Sequence, residues 1–264
     1  MKTLTSWAIV VPTVAWVTFR EIIRDKILYN ILVVSVLLLG LGFLASKMTF
    51  VRPDRIVLDF GVSAVGISSV AIAILIGAAM VNRELERRTI FLALSRPISR
   101  FQFIAGKFLG LIYVLVLNWV LICSTFLLIL LLTNGDTSAN FHPTLFSALL
   151  LLLCQSVMMG GVAILISTFS TTSLSAVLSI GIFLIGTNIS QIHVISSKVR
   201  GIGSHLLDTV SFIIPNLEYF NIGTKVTYGI PVTSAFLLTG VAYAAVVSVL
   251  TILIAGVFIH QREV

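Results

Sequence analysis

The chain has 264 residues, of which 58% are hydrophobic and only 10% are charged, and its mean hydropathy is +1.12. Soluble domains carry about 25% charged residues, so this composition excludes an ordinary soluble protein and indicates an integral membrane protein. The formal net charge of +7 is expected to report orientation in the membrane, because cytoplasmic loops are enriched in Lys and Arg, and no nucleic-acid partner is expected.

Six apolar stretches are long enough to cross the membrane, since roughly 30 Å of hydrocarbon requires a helix of about 20 residues. They predict an all-α membrane protein with six transmembrane helices in one domain, residues 1–264, with no room for a soluble catalytic domain. The stretches are Ile27–Ala45, Phe60–Val81, Phe108–Thr133, Leu145–Thr168, Leu174–Ile195 and Ala235–Ile259. No cleavable signal peptide is expected, because the first long apolar run lies too deep in the chain.

Residues 13–26, TVAWVTFREIIRDK, predict an amphipathic helix before the first span, with Pro12 suited to its first turn. Helical spacing places apolar residues on one side and polar residues on the other. The apolar side holds Ala15, Trp16, Phe19, Ile22 and Ile23, and the polar side holds Thr13, Arg20, Glu21, Arg24 and Asp25. Such a helix is expected to lie in the membrane interface. It is either a surface anchor or a docking surface for a partner.

The loop after the first span, residues 46–59, carries charges of both signs and is interpreted as a solvated connection without a function of its own. The second span is rich in Gly, Ala and Ser. Small residues let helices approach closely in lipid, so this span is predicted to be buried in the bundle or at a subunit interface.

Residues 82–110 hold six of the 17 Lys and Arg residues. Ser99 and Gln102 have the spacing of a capping box, with Ile98 and Phe103 at the positions of a hydrophobic staple, so a helix is predicted to start at Arg100 and to continue into the third span. Pro97 requires the preceding helix to end by Ser95. The apolar run Ile90–Leu94 suits a groove, so residues 82–98 are predicted to meet a partner. The alternative is a solvated inner loop whose basic residues reflect only the enrichment of Lys and Arg on the cytoplasmic side.

The later connections are less informative. Residues 134–143 form a short polar loop, and the inner loop STFSTTSLS has no charge. The long outer segment, residues 196–233, is predicted to form one or two short helices over the bundle. The side chains expected to face the bundle are Leu206, Leu207, Val210, Ile213 and Ile214.

Away from their ends the spans contain no Asp, Glu, Lys or Arg, which argues against a self-sufficient secondary transporter. Asn118, Gln155, Asn188 and Gln191 either join helices or line a path. Cys123 and Cys154 have no second ligand at suitable spacing, so buried reduced thiols are expected and no metal site is predicted. No catalytic motif is present. Any energy for transport is therefore expected to come from a partner.

Positive charge predicts the orientation. With the N-terminus inside, eleven Lys and Arg residues lie on the cytoplasmic side and six lie outside. The inside set is Lys2, Arg20, Arg24, Lys26, Arg83, Arg87, Arg88, Arg96, Arg100, Lys107 and Arg262, and the outside set is Lys47, Arg52, Arg55, Lys198, Arg200 and Lys225. Both termini are thus predicted to be cytoplasmic.

The segment ELERRTIFLALSRPISRFQFIAGKFLG resembles the cytoplasmic signature of type-2 ATP-binding-cassette (ABC) exporter permeases, in which a charged stretch and Thr precede an apolar run, a Pro-x-Ser-Arg turn and Gly-Lys. The six spans, the amphipathic helix and the long outer segment are also similar to that family. One departure is Arg88, where many members have Gly. The resemblance implies a membrane subunit in the bacterial inner membrane that pairs with a second copy or a homologous permease, among membrane lipids.

The resemblance also implies roles for particular residues and for a partner. A cytoplasmic ABC ATPase would bind ATP and Mg, while this chain would bind no cofactor and would not be an enzyme by itself. A coupling helix in residues 82–98 would dock in the ATPase, flanked by an elbow helix at residues 13–26. The coupling residues would be Arg83, Glu84, Glu86, Arg87, Arg88, Thr89 and Phe91, and those of the elbow Arg20, Glu21, Arg24 and Asp25.

The family handles lipids, glycans, drugs, peptides and ions, and an uncharged bundle favours lipid-like or amphipathic cargo. Two alternatives remain. One is a lipid-modifying membrane enzyme using His193 or His205, although neither has a carboxylate or Cys at convincing spacing. The other is a non-transporting assembly subunit that transmits the work of an ATPase across the membrane.

Overall fold

A computed structural model describes residues 2–48, 53–86, 99–133, 143–198 and 202–261. Over these ranges the chain is helical, with no strand. The helices are α1 (Lys2–Ile23), α2 (Lys26–Lys47), α3 (Pro53–Glu86), α4 (Arg100–Thr133), α5 (Pro143–Ser167), α6 (Thr172–Gly186), α7 (Ile189–Lys198), α8 (Ile202–Ile213), α9 (Gly223–Thr227) and α10 (Ser234–Gln261), with a 3₁₀ turn at Glu218–Phe220.

Five of the described helices are long and apolar enough to cross a membrane: α2, α3, α4, α5 and α10. A sixth span results if α6 and α7 are counted together. Helix α3 is the most buried of the five and packs against α2, α4, α5 and α6. Its small residues explain this position, because a Cβ at Gly77 would lie 2.9 Å from the Cβ of Ala163 on α5. The predicted burial of the second span in the bundle is confirmed.

Helix α1 differs in its bounds from the amphipathic helix predicted at residues 13–26. It begins at Lys2, so Pro12 lies inside the helix rather than in its first turn. It ends at Ile23, and Asp25 follows as the N-cap of α2, accepting a hydrogen bond from the backbone N–H of Ile27 at 3.1 Å. This carboxylate satisfies an N–H at the start of the first span and so stabilises the short break between α1 and α2.

The start of α4 has the predicted hydrogen bonds between Ser99 and Gln102. The backbone N–H of Ser99 donates to Oε1 of Gln102 at 3.0 Å, and the N–H of Gln102 donates to Oγ of Ser99 at 3.2 Å. This reciprocal pair is a capping box, and it confirms the helix start at Arg100. Helix α4 continues without a break to Thr133. The proposed staple partner Ile98 and the helix end by Ser95 lie outside the described residues.

The fifth predicted span, Leu174–Ile195, is not continuous. Helices α6 and α7 meet at an angle of 72° around Thr187 and Asn188. Two side chains satisfy carbonyls at the break: Oγ1 of Thr187 donates to the carbonyl of Phe183 at 2.9 Å, and Nδ2 of Asn188 donates to that of Leu184 at 2.8 Å. Side chains that bond to backbone carbonyls in this way make a break within a span tolerable, because the membrane interior offers no water to satisfy them.

The outer segment covers the bundle with different residues from those predicted. In α8, Val210 is 38% exposed and Ile213 is 73% exposed, and the helix packs chiefly on α7. Leu207 and Ile214 are half-buried, and the side chain of Leu206 is outside the described set. The buried residues come from the next stretch, Pro215–Thr227, here called the cap segment. They are Leu217, Phe220, Ile222 and Val226.

Candidate functional sites at the two ends of the bundle

Two groups of side chains lie at opposite ends of α3, which spans about 50 Å at 1.5 Å per residue. At one end, Ile76 and Met80 meet α1 and α4, and this is called the elbow face. At the other end, a Cβ on Gly223 of the cap segment would lie 3.7 Å from Val62, and this is called the cap face. Each face has its own chemistry.

At the elbow face α1 lies alongside the first part of α4. A Cβ at Gly106 would lie 2.6 Å from the Cβ of Val14, and one at Gly110 would lie 2.8 Å from the carbonyl of Ala15. The rings of Phe19 and Tyr113 follow at 6.2 Å. Residues further along α1 therefore contact residues further along α4. The two glycines, four residues apart, allow this close packing, as in other small-residue helix contacts in membranes.

Lys107 lies between these glycines and is buried, with 4% of its surface exposed. Its Nζ is 4.0 Å from Oε2 of Glu21 on α1 and 5.5 Å from the ring centre of Phe103. A small cleft beside the pair is also lined by α3, through Ala79 and Met80. A buried ammonium is tolerated only with a counter-charge or hydrogen-bond acceptors, so Lys107 holds α1 at the point where α3 and α4 meet.

Of the other elbow residues, Asp25 lines the same cleft, whereas the two arginines do not. Arg20 is exposed, with its guanidinium 5.2 Å from the ring centre of Trp16, and Arg24 is exposed after the end of α1. Trp16 is itself half-exposed, whereas the buried stripe of α1 is Val11, Ala15, Thr18 and Ile22. The predicted apolar side is thus rotated by part of a turn from the observed one.

The predicted coupling residues fall in two groups. Arg83, Glu84 and Glu86 are in the last turns of α3, which continues the second span as one helix. Arg87, Arg88, Thr89 and Phe91 lie outside the described residues, as does the rest of residues 87–98. Along the chain, Glu86 lies six residues beyond Met80 and Ser99 lies eight residues before Lys107, and Met80 and Lys107 both line the cleft at the elbow face.

At the cap face, two adjacent residues of the cap segment satisfy both helix ends at the break between α6 and α7. The N–H of Leu217 donates to the carbonyl of Gly186, the last residue of α6, at 2.9 Å. The carboxylate of Glu218 accepts from the N–H of Ser190 in the first turn of α7 at 2.9 Å. Hydrogen bonds from Ser190, first from its side chain and second from its backbone N–H, hold the pKa of Glu218 below its usual value, because they favour the ionised form. Neither contact has a local signal in the sequence.

A cavity of about 320 Å³ lies beside this break, bounded by α3, α5, α6 and the cap segment. Six of its lining residues are polar: Asp59, Ser63, Gln155, Thr187, Asn221 and Thr224. The hydroxyl of Thr227 donates to Oδ1 of Asp59. Asp59 therefore belongs to a structured site, although the sequence assigned it to a loop without a function.

The four polar residues predicted within the spans have separate environments. Only Gln155 lines the cavity. Asn118 is buried, with no hydrogen-bond partner for either amide atom among the described residues, while Asn188 stabilises the helix break and Gln191 is exposed on α7. Cys123 is buried, Cys154 is half-buried, and both are unpaired. The structure does not bring these residues together.

His193 has a carboxylate neighbour that the sequence spacing did not reveal. Its Nδ1 is 4.0 Å from Oδ1 of Asp208 on α8, and the same oxygen accepts from Oγ of Ser196 at 2.7 Å. Asp208 is brought close to His193 because α7 and α8 fold back on each other. Both side chains are more than half exposed, so the pair is a surface contact between two helices.

The family model for the ABC-2 family transporter protein matches residues 12–260, which is nearly the whole chain. The chain belongs to the ABC-2 transporter family. This ABC-2 protein is therefore an integral membrane component of a transporter, a permease subunit and not a catalytic enzyme by itself, and its family implies association with a cytoplasmic ABC ATPase. Comparison with curated proteins finds no match to the chain.

Proposed function

We propose that this ABC-2 permease couples ATP hydrolysis by a cytoplasmic ATPase to the export of a lipid-like or amphipathic substrate. The observation that supports coupling is the elbow-face junction. There the buried Lys107, its neighbour Glu21 and the glycines Gly106 and Gly110 join α1 to α4, next to the end of α3. A movement of residues 82–98 would therefore be transmitted to α3, to α4 and to the elbow helix α1 together.

The remaining parts of the proposal follow from the family and the charge distribution. The permease works as a pair, with a second copy or a homologous permease, among the lipids of the bacterial inner membrane. Both termini are cytoplasmic, since this places eleven of the 17 basic residues inside. ATP and Mg bind to the ATPase. The coupling residues are those predicted between Arg83 and Phe91.

Charge reversal tests the coupling segment. Glu86→Lys and Arg87→Glu, each in the full-length permease with its ATPase, are expected to reduce co-purification of the two subunits and to reduce ATP hydrolysis by the complex. Lys198→Glu, at the exposed end of α7, is the matched control and should change neither. If both coupling variants bind the ATPase and support hydrolysis like the wild type, the assignment is wrong.

Transport by the reconstituted complex separates export from a purely mechanical role. Vesicles containing the permease and ATPase are expected to move an amphipathic fluorescent substrate in an ATP-dependent manner. A complex that hydrolyses ATP with normal dependence on Glu86 and Arg87, yet moves no substrate, would instead support the non-transporting assembly subunit.

A further inference from the structure

We propose that the cap-face cavity and an apolar groove beside it bind an amphiphile whose headgroup carries a protonated amine. The cavity volume of about 320 Å³ lies in the range of small-molecule sites, roughly 300 to 1,000 Å³. The inference rests on the proposed export function in treating this site as part of the substrate path. The binding itself depends only on side chains of this chain.

The first observation that points to a ligand is the environment of Gln155. Only 3% of the surface of this residue is exposed, yet its side chain forms no hydrogen bond with the described residues. Buried polar groups in proteins almost always have a partner. Gln155 is near the middle of α5, and it lines the cavity. Its carboxamide is therefore available to a hydrogen-bonding headgroup within the bundle.

Asp59 supplies the charge. Oδ1 accepts a hydrogen bond from Thr227, and no cation among the described residues lies within ion-pair distance of the carboxylate. Two basic side chains of the same face are placed over aromatic rings instead, Arg55 at 5.0 Å from the ring centre of Tyr228 and Lys225 at 4.6 Å from that of Phe236. An ammonium headgroup would give Asp59 a charge-assisted partner.

The groove supplies the place for a hydrocarbon chain. Its volume is about 290 Å³, and it runs between α2 and α3. It shares Asp59, Ser63 and Ile67 with the cavity, and its other lining residues are Leu38, Phe60 and Ala64. Helix α2 is largely exposed, so this groove faces the surroundings of the bundle. The polar cavity and the apolar groove meet at the carboxylate of Asp59, and this arrangement matches a cationic headgroup joined to a hydrocarbon chain.

Direct binding to the full-length permease in dodecyl maltoside tests the inference, with radiolabelled tetradecylamine, tetradecanol and myristate as probes. Wild type is expected to prefer the amine over the alcohol and the carboxylate by about tenfold, as one charge-assisted hydrogen bond allows. Asp59→Asn, which keeps the acceptor for Thr227, should remove that preference without changing tetradecanol binding. Gln155→Leu should weaken amine binding, and Ile67→Trp should weaken both the amine and the alcohol.

Asp208→Asn is the control, since Asp208 is an exposed carboxylate of the outer segment away from the cavity lining, and it should leave all three probes unaffected. Equal binding of amine and alcohol, or unchanged amine preference in Asp59→Asn, would overturn the inference. Displacement of the amine by phosphatidylethanolamine would identify a membrane lipid as the natural source of the headgroup, whereas displacement only by free amines would identify a soluble amphiphile.

The assay contains no ATPase or nucleotide, so its failure is distinct from that of the proposed coupling. Charge-reversed Glu86→Lys permease should still bind tetradecylamine. A wild-type complex that shows no ATP-dependent transport but keeps the amine preference refutes only the export function, and a transporting wild-type complex without the amine preference refutes only this site.

Discussion

Lys107 shows how one buried charge can organise a helix junction. A lysine buried within a membrane bundle is costly, and it is retained where a counter-charge and a function make use of it. Here Glu21 is half-exposed while Lys107 is buried, so the carboxylate screens an ammonium that water does not reach easily. The glycines on either side permit the approach of α1 that brings Glu21 within 4.0 Å.

We predict that Glu21 and Lys107 are energetically coupled. Glu21→Gln should destabilise the permease by about 1 kcal/mol, a value reduced from that of a fully buried pair because Glu21 is half-exposed. That corresponds to a fall in the thermal midpoint of roughly 2–4 °C for a chain of this size, measured by tryptophan fluorescence in detergent. In a Lys107→Met background the same Glu21→Gln change should have almost no effect, since no buried ammonium remains.

Arg24→Gln is the matched control for this cycle, because Arg24 is an exposed charge near the end of the same helix. It should leave the midpoint unchanged in both backgrounds. An equal effect of Glu21→Gln with and without Lys107 would show that the two side chains do not interact.

At the scale of elements, the broken span depends on contacts that are distant in sequence. Leu217 and Glu218 each contact residues about 30 positions earlier, one at the end of α6 and the other at the start of α7. A Cβ at Gly186 would lie 2.8 Å from the carbonyl of Pro215, so this glycine lets the cap segment reach the break. The cap segment thus fixes the angle between the two helices, directly beside the cavity.

We predict that Glu218 protects the first turn of α7 in a pH-dependent manner. Its folded-state pKa is lowered by the hydrogen bonds from Ser190, so the stabilisation is present above the pKa of the unfolded chain and is lost as the pH falls through the folded value. Hydrogen exchange of α7 peptides at neutral pH should be faster in Glu218→Gln than in wild type. The difference should disappear in acid, where Glu218 is protonated.

Glu21→Gln, at the elbow face, serves as the control and should not alter exchange in α7 at any pH. A constant difference between Glu218→Gln and wild type over the whole pH range would mean that the carboxylate charge is irrelevant and that only shape matters at this position.

These elements also show what the sequence could predict. The capping box of α4 was predictable because Ser99 and Gln102 are three residues apart, and a local pattern determines the hydrogen bonds. The break after α6 was not predictable, since its partners lie in the cap segment. Likewise Val210 and Ile213 have the apolar character of core residues, but the core over the bundle is filled by Leu217 and Phe220. Hydrophobicity alone does not distinguish a residue that faces the bundle from one that faces lipid.

The residues of the candidate site were also only partly predictable from the sequence. The sequence located Gln155 as a polar residue within a span but could not separate it from Asn118, Asn188 and Gln191, because only tertiary packing determines which of them meets a cavity. Asp59 was missed because its partner Thr227 is 168 residues away. Charge and periodicity predicted a helix before the first span, although with other bounds and a rotated apolar side, whereas the cavity depends on four elements that converge only in the folded bundle.

At the scale of the whole molecule, the elbow face and the cap face lie at opposite ends of the bundle, so the orientation of the chain decides which solution each face meets. The basic residues favour a cytoplasmic elbow face by eleven to six. The proposed roles require the same arrangement, because residues 82–98 must reach an ATPase that has access to ATP, while the amine site at the cap face must open away from the cytoplasm.

Single cysteines should report this orientation directly. In a background with Cys123→Ala and Cys154→Ala, we predict that Thr233→Cys, exposed beside the cap segment, reacts with a membrane-impermeant maleimide added to intact spheroplasts. Thr13→Cys, exposed on α1, should react only after the membrane is permeabilised or inverted. Buried Thr251→Cys should react in neither case and controls for nonspecific labelling. The opposite labelling pattern would place the elbow face outside, where no ATP-hydrolysing partner could reach residues 82–98, and would therefore refute both the orientation and the coupling proposed from it.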